Sequence, residues 1–195
     1  MERKPVIITS RLLLRRYTTG DAEELQKYAG NQEISRILPN IPHPYSRKIA
    51  QDWIVKQEKE FIDEISLAFA ITEKQTGKFM SSINLFCDKK NNSGSLGYWM
   101  GLPFWNRGFC TEAAQAMIGF GFRQMGFHRI WAEHWAANPA SGRVMEKCGM
   151  RKESILVEKE LRNGEYRDIV QYAILRQEWE ERKTDSPLEI QTYFC

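Results

Sequence analysis

The chain has 195 residues, of which 42% are hydrophobic, 27% charged and 12% aromatic. This length suits one compact domain with a sizeable core, and the composition is that of a globular protein, not a disordered or fibrous one. The formal net charge is only +3 and the basic and acidic residues are interspersed, so the sequence lacks the basic stripe of a nucleic-acid-binding protein.

Cysteine spacing and apolar runs indicate the cellular compartment of such a protein. The four cysteines are widely separated and form no C-x-x-C pair, so neither a zinc site nor a redox dithiol is indicated. The apolar run at 6–8 is too short for a signal peptide, and no stretch approaches the roughly 20 apolar residues that cross a bilayer. These features favour a protein of the reducing cytoplasm that uses no metal and no membrane.

The first third of the chain predicts one strand followed by two helices. Residues 6–17 are rich in aliphatic and β-branched residues, which is typical of a strand. Thr19 or Asp21 is expected to cap a helix, since apolar residues recur after them with helical spacing. Three prolines in 39–44 predict a loop, after which Ser46 is expected to cap the second helix.

The middle of the chain changes to strand patterns. Residues 67–72 and 79–86 are predicted to form a hairpin, with 95–100 as the next strand of a meander. A helix with a broad apolar face is expected at 111–122. Alternating residues at 128–136 then predict another strand.

The C-terminal part predicts a short helix and a final hairpin. The helix is expected at 141–148 and ends at Gly149, which suits a left-handed C-terminal cap. Strands at 151–161 and 168–175 flank an Asn-Gly pair that favours a type I′ turn. The sheet is therefore expected to be mainly antiparallel, and the tail beyond residue 181 to be loosely held.

One turn between a strand and a helix is suited to anion binding. It contains Arg107 and Gly108, and the helix is expected to begin at Thr111. The first N–H groups of a helix lack intrahelical partners and carry the positive end of its dipole, while glycine lets the backbone approach a phosphate closely. These residues suit an anion site and an ordinary structural turn equally well.

Several short motifs follow one another in a specific order and spacing. They are Thr9–Arg15 with Asp21-Ala22, Gly97-Tyr98-Trp99, Trp105–Ala113, His128–Ile130, Asn138–Ser141, Glu146–Gly149, Gly164–Asp168, Tyr172 and Glu178-Trp179. In this order they resemble the GNAT acetyltransferases, in particular the branch that contains the ribosomal-protein N-terminal acetyltransferases. The resemblance covers nearly the whole chain.

The resemblance implies an α/β fold in which a mixed, mainly antiparallel sheet of about seven strands is flanked by helices and splayed to admit acetyl-CoA. It implies a GNAT domain at 1–181 and a tail at 182–195. The implied reaction is direct acetyl transfer from acetyl-CoA, as cosubstrate, to a primary amine without a covalent intermediate. The favoured acceptor is the α-amine of a protein N-terminus, such as that of a ribosomal protein, in a monomeric or homodimeric enzyme.

Two other functions stay open at this point. The same catalyst would serve a small amine, such as a polyamine, an amino acid or an antibiotic, and strongly acidic pocket residues would favour that function. The second is a module that binds CoA without turnover. It stays open because a tyrosine and an acidic residue that the family uses for proton transfer are both replaced in this chain.

Cofactor contacts are also implied by the resemblance. Backbone amides from Arg107 to Thr111 are implied to hold the pyrophosphate, and the strand at Trp99–Gly101 to pair with the pantetheine arm. Asn106 stands where this branch commonly has glycine and Cys110 where it has glycine or alanine, and both are small enough to leave backbone contacts intact. The full candidate set is Trp99, Met100, Gly101, Trp105, Asn106, Arg107, Gly108, Phe109, Cys110, Thr111, Asn138 and Arg143.

The departing thiolate requires a hydrogen-bond donor. The resemblance implies Ser141 for this role, because the tyrosine of other branches is replaced by Met145. Its alternative role is to cap the helix at 141–148. Asn138 is expected to bond cofactor or substrate, or else to be a turn residue before Pro139.

The amine requires a proton acceptor. The acidic residue that often precedes Gly-Tyr in this branch is Ser95 here, which leaves Glu133 as the candidate base unless strand alternation turns it to solvent. His134 on the same strand is the competitor, and a water relay is the third possibility. Tyr98 and Trp99 are expected to line the acceptor pocket or to pack in the core.

Overall fold

The computed structural model describes residues 5–38, 41–162, 164–182 and 191–194. Its strands are β1 (Pro5–Ile8), β2 (Leu12–Arg15), β3 (Ser66–Glu73), β4 (Phe79–Asp88), β5 (Ser93–Met100), β6 (Arg129–Trp135), β7 (Arg151–Arg162), β8 (Glu165–Leu175) and β9 (Gln191–Phe194). Its helices are α1 (Ala22–Ala29), α2 (Gln32–Ile37), α3 (Arg47–Ile62), α4 (Phe109–Arg123), α5 (Pro139–Lys147) and α6 (Arg176–Arg182). In the described ranges, no helix is long and apolar enough to cross a membrane.

The strands form one sheet with the order β7-β8-β6-β5-β4-β3-β2-β1-β9. The β5–β6 pair is parallel, whereas the other pairs are antiparallel. The expected hairpin of β3 and β4 is confirmed, with Leu67 opposite Leu85. The mixed α/β fold is therefore as expected, although the number of strands differs.

The sheet has nine strands in the described residues, two more than expected. The segment 6–17 is not one strand, because Thr9 closes a turn in which its N–H donates to the carbonyl oxygen of Leu12 at 3.0 Å. The second extra strand is β9, in which Tyr193 pairs with Val6 of β1. Part of the tail thus joins the sheet, while 183–190 lie outside the described residues.

Helix boundaries follow local capping chemistry at several points. Ser46 caps α3 as predicted, since its Oγ accepts from the N–H of Ile49 at 3.2 Å. Asp21 stands at the start of α1, but its carboxylate accepts from the N–H of Thr18 at 2.7 Å, one turn upstream. Helix α2 was not expected. Asn31 caps it, since its Oδ1 accepts from the N–H of Glu33.

The helix after β6 begins earlier than expected. It starts at Pro139 with Asn138 in the N-cap position, so Ser141 lies inside the first turn and its predicted role as helix cap is wrong. Proline is pre-organised for the first helical turn, which explains the earlier start. Gly149 takes the left-handed conformation expected after this helix, with φ of 83°. The predicted Asn-Gly turn includes residue 163, which lies outside the described residues.

Strands β5 and β6 separate along their length. Their parallel pairing covers Ser93 to Ser95, opposite Arg129 to Trp131. Beyond that, β5 stays in register with β4 as far as Met100, and β6 with β8 as far as Trp135. Because each strand follows a different neighbour in a twisted sheet, a gap opens between them.

Candidate active site

A cavity of about 720 Å³ lies where β5 and β6 separate. Its walls come from β5, the N-terminus of α4, β6 and α5, and its outer end from α2 and β7. A volume of this size suits a small-molecule site. The gap in the sheet therefore provides the cleft that the resemblance implied.

The turn before α4 has the backbone conformation of an anion site. Asn106 and Gly108 both have positive φ, of 58° and 77°. Asparagine is one of the few residues besides glycine that enter this region, so Asn106 preserves the turn that a glycine would form there. The first intrahelical bond runs from the N–H of Glu112 to the carbonyl oxygen of Gly108 at 3.1 Å. The amides before Glu112 therefore lack intrahelical partners and suit a pyrophosphate.

Most of the predicted cofactor residues meet at this cavity. Those that line it are Trp99, Met100, Trp105, Asn106, Gly108, Phe109, Cys110, Thr111, Asn138 and Arg143. Gly101 and Arg107 are not among the lining residues. The N–H of Gly101 donates instead to the carbonyl oxygen of Met80 at 3.2 Å, on the far side of β5.

Trp105 braces the end of strand β5. Its indole Nε1 donates to the carbonyl oxygen of Met100 at 2.6 Å. This carbonyl is therefore already engaged, as is that of Trp99, which accepts from Oγ of Ser81. A pantetheine arm would have to pair with other backbone groups of β5.

Ser141 and Tyr98 form a pair of hydroxyl groups on the cavity wall. The Oγ of Ser141 donates to the Oη of Tyr98 at 3.1 Å, and Tyr98 donates to the carbonyl oxygen of Ser141 at 2.9 Å. Burial raises the pKa of Tyr98, so that its hydroxyl stays protonated. Tyr98 thus lines the pocket, as one of its two predicted roles requires.

Glu133 and His134 both border the cavity, but in different surroundings. Glu133 is exposed and accepts from Nζ of Lys159 at 3.0 Å. The Nδ1 of His134 lies 2.7 Å from the carbonyl oxygen of Trp135. Its Nε2 is buried without a hydrogen-bond partner among the described residues, and it lies close to Gly142 of α5. His134 is therefore packed beneath α5.

Glu160 is a cavity residue that the sequence analysis missed. Its Oε2 accepts from Nε1 of Trp135 at 2.6 Å, which holds the carboxylate beside Trp135 in the cavity wall. The β7–β8 register shifts between Leu156 and Glu160, and Glu158 has φ of 51°. Such a bulge changes which residues face inwards, and strand alternation alone gives no signal for it.

Cys110 lines the cavity as a protonated thiol. Burial raises its pKa to about 12, so that a thiolate is scarce at neutral pH. Since the thiolate is the nucleophile, Cys110 is not suited to form an acetyl-enzyme. Among the described residues, no group of three or more His, Cys, Asp or Glu side chains is arranged to hold a metal ion.

Three solved structures share this architecture. A GNAT-family acetyltransferase from Bacillus anthracis is 26% identical with a TM-score of 0.80, covering 88% of this chain and 99% of that one. RimL, a ribosomal L7/L12 α-N-protein acetyltransferase in complex with CoA, is 17% identical with a TM-score of 0.79, covering 85% and 94%. A spermidine N-acetyltransferase from Vibrio cholerae, with CoA and spermine, is 21% identical with a TM-score of 0.75, covering 88% and 99%.

The sequence also matches a family model. The model of the acetyltransferase (GNAT) domain aligns with residues 11–151, which span both the turn before α4 and the Ser141–Tyr98 pair. This match covers more than half of the chain. The chain therefore belongs to the GNAT acetyltransferase family, whose members use acetyl-CoA as cosubstrate.

Proposed function

We propose that this acetyltransferase transfers an acetyl group directly from acetyl-CoA to the N-terminal α-amine of a protein, such as a ribosomal protein. The observation that carries the proposal is the position of Glu160 in a cavity that also contains Ser141 and the pyrophosphate-type turn. We take the part of this cavity formed by Glu33, Glu133, Trp135 and Glu160 as its acceptor end. A carboxylate and a hydroxyl donor in one cavity suit an amine attacking a thioester.

The acceptor end carries little unpaired negative charge. Two of its carboxylates are in ion pairs, Glu133 with Lys159 at 3.0 Å and Glu33 with Arg36 at 3.1 Å. Glu160 instead accepts from the neutral indole of Trp135. This arrangement favours an acceptor with one positive charge.

Two cations flank the same tryptophan. The guanidinium groups of Arg162 and Arg167 lie 4.9 Å and 4.5 Å from the centre of the Trp135 ring. A polyamine with several ammonium groups would meet repulsion there, whereas a peptide N-terminus carries one ammonium group and continues as a neutral backbone.

Apolar side chains also line the cavity. They are Ile37, Leu38, Phe86 and Ile169, and Phe86 is 48% exposed. Such a surface suits the side chain of a small or apolar first residue and the backbone that follows it.

In the proposed reaction, the amine nitrogen attacks the thioester carbonyl carbon and the carbon–sulfur bond breaks. Glu160 takes the proton that the amine loses, directly or through one water. We assign this role to Glu160 over Glu133, because Glu133 is exposed and held by Lys159. Ser141 donates a hydrogen bond to the departing thiolate.

A small-amine acceptor is the second candidate. It is favoured by one observation, that Glu33 and Glu133 line the same cavity as Glu160. Their partners Arg36 and Lys159 are flexible and exposed, so a polycation would be able to displace them.

The test is thiol release from acetyl-CoA with an acceptor panel of ribosomal-protein N-terminal peptides, spermidine, amino acids and an aminoglycoside. Each peptide has a control in which a formyl group blocks its N-terminus while a lysine stays free. Acetylation of the α-amine, located by mass spectrometry, supports the proposal. Turnover with spermidine or another small amine alone would establish the second candidate, and CoA binding without turnover would indicate a binding module.

A further inference from the structure

The β1–β2 turn is fastened to the first turn of α4 by Glu112. This carboxylate is only 6% exposed, and its Oε1 accepts from Thr9 Oγ1 at 2.6 Å, Ser10 Oγ at 2.9 Å and the N–H of Arg11 at 2.9 Å. Burial opposes ionisation, but the bonds from Thr9, Arg11 and Ser10 hold the pKa of Glu112 below its ordinary value. A buried, ionised carboxylate with this many donors is a rigid anchor.

Arg11 connects this anchor to the turn before α4. Its Nε donates to Oε2 of Glu112 at 2.6 Å, and its Nη1 donates to the carbonyl oxygen of Arg107 at 3.0 Å. The guanidinium also lies 4.4 Å from the centre of the Phe109 ring. One planar group therefore bridges a buried carboxylate and a backbone carbonyl of the turn.

This bridge sets the direction of a neighbouring amide. In a trans peptide, the carbonyl of one residue and the N–H of the next point in opposite directions. With the carbonyl of Arg107 held by Arg11, the N–H of Gly108 points the other way. Gly108 lines the cavity and Arg107 does not, so this N–H belongs to a residue of the cavity wall.

We propose that Arg11 is a positioning residue for the pyrophosphate of acetyl-CoA, acting through Glu112 and the carbonyl of Arg107. The inference rests on the proposed function of the turn. Arg11 is not among the cavity-lining residues, so its effect comes from holding the amides in the binding geometry before the ligand arrives. Such preorganisation raises affinity because less ordering is needed on binding.

The test compares two probes, CoA and pantetheine, which lacks the pyrophosphate and the nucleotide. In Arg11→Ala, the Kd for CoA is expected to rise about tenfold, the scale of one hydrogen bond to a charged group. The Kd for pantetheine is expected to stay within about twofold of the wild type. General damage to the fold would weaken both probes, so the difference between them reports on the turn.

Arg11→Lys separates positioning from charge. Lysine keeps the positive charge but lacks the planar fork that reaches Glu112 and Arg107 together. We therefore expect it to bind CoA as weakly as the alanine variant.

Arg15→Ala is the matched control. Arg15 lies in the same hairpin and pairs with a buried carboxylate, Asp21, at 2.7 Å. It belongs to a different cluster from the turn, so this variant is expected to lower Tm without changing CoA affinity.

Three results would overturn the inference. They are wild-type affinity for CoA in Arg11→Ala, full rescue by lysine, and equal loss for CoA and pantetheine. Failure of the wild-type protein to bind CoA would overturn the proposed function and this inference together, whereas wild-type binding with an unaffected Arg11→Ala would overturn the inference alone.

Discussion

The hydroxyl groups of Ser141 and Tyr98 meet at 3.1 Å on the wall of the cavity between β5 and α5. Tyr98 donates in turn to the carbonyl oxygen of Ser141 at 2.9 Å. If the Ser141 hydroxyl rotates to donate to a leaving thiolate, its oxygen becomes free to accept from Tyr98. A protonated Tyr98 would thus support Ser141 in its proposed role as a donor.

Replacing Ser141 tests this role. Ser141→Ala is expected to lower kcat about 100-fold, the scale of losing one donor to a developing anion, with the Kd for CoA within about twofold. Tyr98→Phe is expected to have a smaller effect, about tenfold, because it acts through Ser141. For both variants, steady-state kinetics would measure kcat and calorimetry would measure the Kd for CoA. An unchanged kcat in Ser141→Ala would leave Ser141 with a structural role only.

The two carboxylates at the acceptor end are distinguished by matched substitutions. Glu160→Gln is expected to lower kcat about 100-fold, since it removes the proton acceptor while keeping the shape of the side chain. Glu133→Gln is the control and is expected to stay within about threefold, because its partner is the exposed Lys159. A larger loss in Glu133→Gln than in Glu160→Gln, measured with saturating amine, would reverse the assignment.

The pKa of Cys110 predicts that the protein forms no acetyl-enzyme. Because burial raises this pKa to about 12, iodoacetamide is expected to modify Cys110 slowly at pH 7.5 in the native protein. Incubation with acetyl-CoA alone is expected to leave the protein mass unchanged, and Cys110→Ala to keep turnover. An added acetyl group on the peptide containing Cys110, detected by mass spectrometry, would contradict direct transfer.

Two buried carboxylates predict how stability depends on pH. Burial opposes ionisation of Glu112 and Asp21, but hydrogen bonds from Thr9 and Arg15, among others, hold their pKa values below the ordinary 4.5 and 3.8. A lowered folded-state pKa contributes stability above the ordinary value, and this stability is lost as pH falls through the folded-state pKa. Tm is therefore expected to be steady from pH 7 to about 5 and to fall steeply towards pH 3.

Glu112→Gln isolates one of these contributions. Its Tm is expected to be below the wild-type value at pH 7 and to change less between pH 5 and pH 3, because the ionisable group is gone. Glu165→Gln is the control, since the side chain of Glu165 is 77% exposed. Calorimetry would measure Tm across this pH range. Parallel curves of Tm against pH for the wild type and Glu112→Gln would contradict this account.

Local features of the molecule were predictable from the sequence because they depend on near neighbours. Ser46 caps α3 through an amide three residues later, and Gly149 takes the left-handed conformation that ends α5. The turn with Gly108 precedes a helix, whose start was misplaced by two residues. The family resemblance supplied what these signals lack, namely the expectation that the anion is the pyrophosphate of CoA.

The tertiary structure decided the features that depend on distant residues. The turn at Thr9 breaks the first strand, and contacts to Glu112, about a hundred residues later, hold that turn in place. Glu160 lines the cavity next to a strand bulge, whose position no alternation pattern reveals. Sequence spacing encodes local hydrogen bonds and the faces of regular elements. Strand register, bulges and long-range ion pairs are set only when the elements pack, so the turn before α4 was predictable and the position of Glu160 was not.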